Sequence, residues 1–307
     1  MSPQTHSIRE MLDEASVRLS ELPEIDARRE AELLLIEAAG LSRTTLIAWP
    51  DRQLTLGQIQ TFLALVERRR RGEPIAYIRG RQAFWDLDLQ VTPSTLIPRP
   101  ETELLVELVL EWLPADRPLL IADLGTGTGA IAAALARERE NWTLLAVERS
   151  TAAIAIAAGN LRRLALTNVH ALQSDWLNAV ATKSLDAVVS NPPYVRDDDP
   201  HLDQGDLRFE PKRALTAGPD GLDAIRRIAG DAGRCLRQPG LLAIEHGYDQ
   251  GDNVGKILAT AGYRHIGTHR DLAGQDRITV GVTEALLDQR NHNLPLYLKR
   301  NRAQYIA

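Results

Sequence analysis

Residues 185–194 read LDAVVSNPPY, an apolar stretch of strand character that runs straight into an amide, two prolines and a tyrosine. A residue before proline is pushed out of the α region, and each ring locks φ and removes a backbone donor. The expected shape is a stiff, extended spur with the Asn191 carboxamide at its base and the Tyr194 ring at its tip. Such a spur suits one difficult reaction. A planar nitrogen is a poor nucleophile because its lone pair is delocalised, and methylating it requires that lone pair to face the methyl carbon, in line with the leaving sulfur. The Asn191 side-chain oxygen and the Pro192 carbonyl can accept its two N–H hydrogens, while the Tyr194 ring lies against its plane. Holding a near-attack geometry lowers a barrier by roughly several kcal/mol. Acceptors aimed at the developing positive charge add to this. No strong base is needed, since the proton can leave after transfer. The amide N–H group of Asn191 stays available to donate elsewhere and hold its orientation.

The second chemical feature is DLGTGTGA, at residues 123–130, placed between an apolar strand and a helical stretch. Gly125, Gly127 and Ala130 satisfy the dinucleotide fingerprint, and Glu148 ends the next strand, where a carboxylate takes a pair of ribose hydroxyls. Glycines let a backbone approach a ligand closely, and the helix start offers free N–H groups. NAD and S-adenosylmethionine both use this geometry. Asp123, directly before the loop, suits an ammonium group and would repel a pyrophosphate. Hydride transfer has no use for the Asn-Pro-Pro-Tyr spur. Together the two features read as a methyltransferase.

The elements that must position them follow from periodicity. In the first ~75 residues Ile8, Leu12, Ala15 and Leu19 recur at helical spacing, as do Ile59, Phe62, Leu63 and Val66. Asp26 is a candidate N-cap for a helix that stops on Gly40. This part predicts a small all-helical domain, 1–75. Residues 76–97 show alternating segments with Gly and Pro punctuation and predict a hairpin linker. From 98 to 283 strand, turn and helix repeat, which predicts an α/β domain with a mostly parallel sheet and helices on both faces. Residues 284–307 have weak periodicity and read as a C-terminal tail.

Bulk properties exclude several classes. The chain has 307 residues, 44% apolar and 25% charged, with a net charge of -5, so non-specific binding to nucleic acid is not expected. Cys235 is the one cysteine, which fits a reducing, cytoplasmic setting. The opening MSPQTHSIREMLDEASVRL has no apolar core of a signal peptide, and no run approaches the ~20 apolar residues of a membrane span.

The spur reports the chemistry and leaves the substrate open, because methyltransferases acting on adenine or guanine in nucleic acid carry a similar tetrapeptide. A binding protein that keeps the cofactor fold without turnover is the alternative from another class. Longer motifs narrow the choice. FWDLDLQVTPSTLIPRPETE, DLGTGTGAIA, LQSDW, VVSNPPYV and DPHLDQGDLRFEPKRAL resemble, from about residue 5 to 283, the peptide chain release factor glutamine methyltransferases. The resemblance implies a Rossmann-like S-adenosylmethionine-dependent domain behind a helical N-terminal domain that docks substrate. It implies methylation of the glutamine in the Gly-Gly-Gln tripeptide of class I release factors. Beside it, composition and charge lead us to expect a cytoplasmic setting with no membrane or stable nucleic-acid binding, and a monomer is expected. The resemblance also implies that Gly125, Thr126, Gly127, Thr128 and Gly129 line the cofactor, that Glu148 takes its ribose, and that Trp176 lies near its adenine. Asn191, Pro192, Pro193 and Tyr194 hold the glutamine, with Asn191 bordering the cofactor as well. Glu148 is a departure, since many members have Asp there, but the longer arm still reaches two hydroxyls.

Other residues read less specifically. Asp175 fits an adenine contact or a turn. Phe84 and Trp85 read as packing in the hairpin, with a cover over the site as the alternative. Arg68, Arg69, Arg70 and Arg71 end a helix, where cations complement the dipole, and read as a solvated face, with docking of the release factor as the alternative. His265 and His269 lack a helix to align them, and no metal site is expected.

Overall fold

The computed structural model describes residues 6–22 and 25–283, and the tail expected from 284 onward lies outside the described residues. The described chain forms two compact units. One comprises the residues up to Arg81 together with Pro200–Phe209, and the other comprises Gln82–Asp199 and the residues from Glu210 onward.

The first unit is helical: α1 (Ile8–Leu19), α2 (Ala27–Ala39), α3 (Arg43–Ala48), α4 (Leu56–Arg70) and α5 (Ile75–Arg79). Local chemistry sets most of the ends. Ser7 with Glu10, and Thr55 with Gln58, form capping boxes that satisfy orphan N–H groups at the starts of α1 and α4. Asp26 accepts from Arg29 N at the start of α2, and Gly40 closes that helix at φ 63°. The apolar stripes meet in one core, with Ile8, Leu19, Leu34, Leu35 and Phe62 fully buried. Each such side chain contributes about 1.5–3 kcal/mol relative to exposure.

Two features of this unit depart from the sequence reading. Arg69 is buried, not part of a solvated face. It donates to Glu30 at 2.6 Å and to Asp206 at 3.0 Å, partners 39 and 137 residues away. Pro200–Phe209 joins the helices through two 3₁₀ turns, Pro200–Asp203 and Leu207–Phe209, although its flanking residues belong to the second unit.

The second unit begins at Gln82, inside a hairpin of β1 (Arg81–Phe84) and β2 (Leu87–Gln90). Its turn holds Trp85 at φ 57°, where the backbone N–H donates to Glu103 and the indole N–H to Glu138. Phe84 is buried in the adjoining core. After α6 (Glu103–Trp112) come β3 (Leu120–Leu124), α7 (Ala130–Glu138), β4 (Thr143–Glu148), α8 (Thr151–Arg163), β5 (Val169–Gln173) and β6 (Leu185–Ser190). They are followed by α9 (Asp223–Cys235), β7 (Leu236–Glu245), α10 (Gly251–Thr260), β8 (Arg264–Arg270) and β9 (Asp276–Thr283).

Seven strands form one sheet in the order β5-β4-β3-β6-β7-β9-β8, parallel from β5 to β7, with β9 antiparallel to both of its neighbours. Apolar side chains cover both faces. Leu105, Val109, Leu135 and Ile121 lie in one core, and Ile225, Ile228, Val188 and Leu242 in the other. Helix α7 is buried from Ala130 to Ala136, and its small side chains let it lie close to the sheet. His269 meets Trp112 edge to face at 6.1 Å, a packing contact.

Candidate active site

The chain runs outward from β3 to β4 to β5 and then returns to place β6 on the other side of β3. Ligands bind in the crevice at the carboxyl ends of strands where the order reverses in this way. Leu124 pairs with Val147 on one side and Ser190 on the other, so Gly125, Glu148 and Asn191 leave the sheet side by side. The Ser190 hydroxyl donates to the Leu124 carbonyl at 2.7 Å and ties the two exits together.

Gly125, Gly127 and Gly129 have φ of 70°, 56° and 84°, a region that L side chains rarely adopt. The amides of Gly125 and Thr126 donate to the Val147 carbonyl at 2.9 and 3.0 Å. Asn160 of α8, fully buried, donates to the carbonyls of Thr128 and Gln90 and accepts from Gln90 N, which fastens the loop to β2. Trp176, at φ 49°, lays its ring near Gly125, where an added Cβ would sit 3.6 Å from it. Glu148 is oriented from both sides, accepting from Gly127 N at 3.3 Å and from Ser150 N at 2.8 Å.

Asp123 lies beneath this loop with no exposed surface. Oδ2 accepts from the Thr126 hydroxyl at 2.5 Å and from Ala132 N at 3.2 Å, whereas Oδ1 is buried without a partner. Burial raises its pKa to about 7; the bonds from Thr126 and Ala132 oppose the shift, and the charge of Glu148 adds to it. An unpartnered carboxylate oxygen under a cradle of backbone amides is matched to a cationic group.

The spur is held at several points. The Leu215 carbonyl accepts from Tyr194 N at 3.1 Å and from Val195 N at 2.8 Å, and Gln250 Nε2 donates to the Tyr194 carbonyl at 2.9 Å. Gly221, at φ 72°, leaves room for that carbonyl, since a Cβ there would come within 2.2 Å of it. Asn191 Nδ2 donates to the Thr102 hydroxyl at 3.0 Å, and the Tyr194 hydroxyl donates to Glu245 Oε1 at 3.4 Å. Burial raises the pKa of Glu245 to about 7, against the opposing influence of Thr102, Arg277 and Tyr194. The Tyr194 phenol is pushed upward too, by burial and by the Glu245 charge beside it.

The structure thus brings Gly125, Thr126, Gly127, Thr128, Gly129, Glu148 and Trp176 to one side of the crevice, and Asn191, Pro192, Pro193 and Tyr194 to the other. Sequence reasoning did not single out Thr102, Asn160, Glu245 or Gln250. Thr102 was visible within IPRPETE, and that segment is anchored in turn by Glu210 of RFEPKRAL, which accepts from Ile97 N at 3.0 Å and from Arg99. Asp175 is paired with Arg227 at 2.7 Å. Among the described residues no group of His, Cys, Asp or Glu is arranged to hold a metal ion.

Comparison with known proteins gives consistent matches in both parts of the chain. Residues 10–80 match the PrmC N-terminal domain, and residues 102–207 match the methyltransferase small domain. A release factor glutamine methyltransferase of Pseudomonas aeruginosa is 51% identical over 263 residues, 85% of this chain and 95% of that one. One of the same name from Escherichia coli is 46% identical over 276 residues, covering 90% and 97%. The crystal structure of a methyltransferase from Pyrococcus furiosus shares the fold, with a TM-score of 0.51 at 17% identity over 71% of this chain and 98% of that one.

Proposed function

The chain belongs to the release factor glutamine methyltransferases, and from that premise we propose that it methylates the side-chain nitrogen of the glutamine in the Gly-Gly-Gln tripeptide of class I peptide chain release factors. The methyl donor is S-adenosylmethionine. The observation that carries this reading is the Asn191 carboxamide, fixed through its N–H group by Thr102 and set at the strand end beside the glycine loop.

The residues present fit the donor. Positive φ at Gly125, Gly127 and Gly129 keeps the loop bare of side chains at those positions, and the orphaned Oδ1 of Asp123 offers a partner for an ammonium group. Glu148 presents a pre-oriented carboxylate for a ribose diol, and Trp176 a flat ring for the adenine. The bound donor supplies an electrophilic methyl group on a sulfonium, a good leaving group.

The chain's own residues do the rest. With Nδ2 committed to Thr102, Asn191 turns Oδ1 outward as an acceptor, and the Pro192 carbonyl is the second acceptor for the substrate amide. Both hydrogens of the glutamine NH₂ group would then be held, which leaves the nitrogen lone pair free of the two acceptors. With the donor bound, its methyl group would pass from sulfur to this nitrogen, leaving a neutral thioether, and the surplus proton on nitrogen would pass to solvent. The Tyr194 ring sets the plane of the amide, and its raised pKa keeps the phenol neutral. We read the enzyme as a cytoplasmic monomer, a reading supported by the release factors its relatives are named for. No helix among the described residues is long and apolar enough to cross a membrane.

The test offers donor labelled on its methyl group together with an unmodified class I release factor, a copy with the Gly-Gly-Gln glutamine changed to alanine, and mixed DNA and RNA. Label on the intact factor alone is expected. Label on nucleic acid would retain the chemistry of the spur and overturn the substrate.

A further inference from the structure

A carboxamide has two ends of nearly equal size, and only one of them serves here. If Asn191 turned its NH₂ group toward the substrate, donor would face donor and the glutamine nitrogen would lose an acceptor. Packing alone discriminates poorly between the two orientations. The polar partners decide, and they lie outside the spur.

Asn191 Nδ2 donates to Thr102 Oγ1 at 3.0 Å. A threonine hydroxyl has a single hydrogen and can also accept. If that hydrogen pointed at Asn191, the amide would be stable only when flipped, with its oxygen toward Thr102. The hydrogen must therefore have another acceptor. Glu245 meets that need. It ends β7, the strand beside β6, and the pairing of Ser190 with Ile244 places Asn191 and Glu245 at neighbouring exits. Glu245 and Thr102 are both buried, and Thr102 is among the groups that hold the Glu245 pKa down against burial. Oε2 of Glu245 is buried without a hydrogen-bond partner, so it is the acceptor left open to the Thr102 hydrogen, whereas Oε1 takes the Tyr194 hydroxyl at 3.4 Å.

We propose that Thr102 and Glu245 are positioning residues that fix which end of the Asn191 carboxamide faces the substrate. The direction of each hydrogen bond follows from the one before it: Glu245 can only accept when ionised, so Thr102 donates to it, so Thr102 accepts from Asn191, so Oδ1 points outward. Because the same carboxylate takes the Tyr194 hydroxyl, it braces the base and the tip of the spur together. Arg277 and Glu101 are the other charged groups that act on it, and Arg277 is itself held by Asp271 at 3.0 Å. This assignment rests on the proposed reaction for its consequence, but its geometry stands apart from the identity of the substrate.

The experiment therefore has two arms, with Thr102→Val, Thr102→Ser and Glu245→Leu compared with the natural chain. In the first arm, methyl transfer to a release factor is measured with calorimetric binding of S-adenosylmethionine as the folding control. Thr102→Val and Glu245→Leu are expected to lose about 10- to 100-fold in kcat with donor affinity within a few-fold of normal. Thr102→Ser, which keeps the hydroxyl, is expected to stay within a few-fold. Undiminished kcat in Thr102→Val would overturn the proposal, as would equal losses in the Ser and Val variants. The second arm needs no substrate. In ¹⁵N spectra the Asn191 side-chain NH₂ signals, assigned by their disappearance in Asn191→Ala, should show slowed hydrogen exchange in the natural chain and in Thr102→Ser and lose it in Thr102→Val. Fast exchange in the natural chain, or no change in Thr102→Val, would overturn the positioning role even if the substrate proved to be something else.

Discussion

The Thr126 hydroxyl donates to Oδ2 of Asp123 at 2.5 Å, while Oδ1 of the same carboxylate stays buried without a partner. The carboxylate is half satisfied by the protein, and its other half is the partner we assign to a cationic ligand. Its pKa stands near 7, raised by burial from an unfolded value near 4.

A pH dependence follows. Between about 4 and 7 the folded chain holds a proton at Asp123 that the unfolded chain has released, so this group's contribution to stability is present below that window and lost as pH rises through it. The natural chain should therefore lose melting temperature relative to Asp123→Asn as pH rises from about 4 to about 7. Glu245 acts with the same sign in the same range, and it is common to both proteins. Donor binding should move in the opposite direction, tightening as Asp123 ionises, and Asp123→Asn should flatten that trend. Calorimetric titrations at pH 6 and 8 measure it.

Asn191→Ala removes the acceptor aimed at the substrate nitrogen and keeps the glycine loop intact. Transfer should fall by about 100-fold or more, while affinity for S-adenosylmethionine changes little. Loss of donor binding to the same extent would show that Asn191 serves the cofactor and not the substrate.

Gly221 and Gly40 separate close approach from backbone strain. Both have positive φ, but a Cβ at Gly221 would collide with the Tyr194 carbonyl, whereas one at Gly40 meets nothing within 4 Å. Gly40→Ala should cost about 1 kcal/mol in urea denaturation. Gly221→Ala should cost about 2–4 kcal/mol and reduce kcat as well, because the collision displaces the spur.

Arg69→Met tests the buried ion pair in the helical unit. Its removal leaves Glu30 without its partner in a poorly hydrated place, at a cost of about 3 kcal/mol. Arg71→Met, whose side chain is largely exposed, should leave the denaturation midpoint nearly unchanged.

Much of this was legible in the chain. Helix ends at Asp26 and Gly40, the glycine loop, the alternation of strands and helices and the stiff spur all depend on neighbours within a few residues. Local rules about φ, capping and periodicity therefore reach them. The order of the loop and the spur along the sequence also implied the reaction class, because few chemistries need both a donor cradle and a rigid pair of acceptors.

Other features became visible only when the strands were ordered. Thr102 lies 89 residues from Asn191, and Glu245 lies 51 from Tyr194, so nothing in local spacing joins them. The sheet brings the ends of β6 and β7 together, and that adjacency turns an unremarked glutamate at a strand end into the acceptor beneath the spur. Arg69 misled for the same reason. A run of four arginines reads as a charged surface until Glu30 and Asp206 arrive from distant parts of the chain and bury the second of them. Backbone shapes and the functional groups on offer follow from covalent chemistry and near neighbours, so they could be read along the chain. Which groups are buried, which hydrogen bonds they can still make and which way each side chain faces depend on what the fold places beside them, so they emerged only from the packed structure.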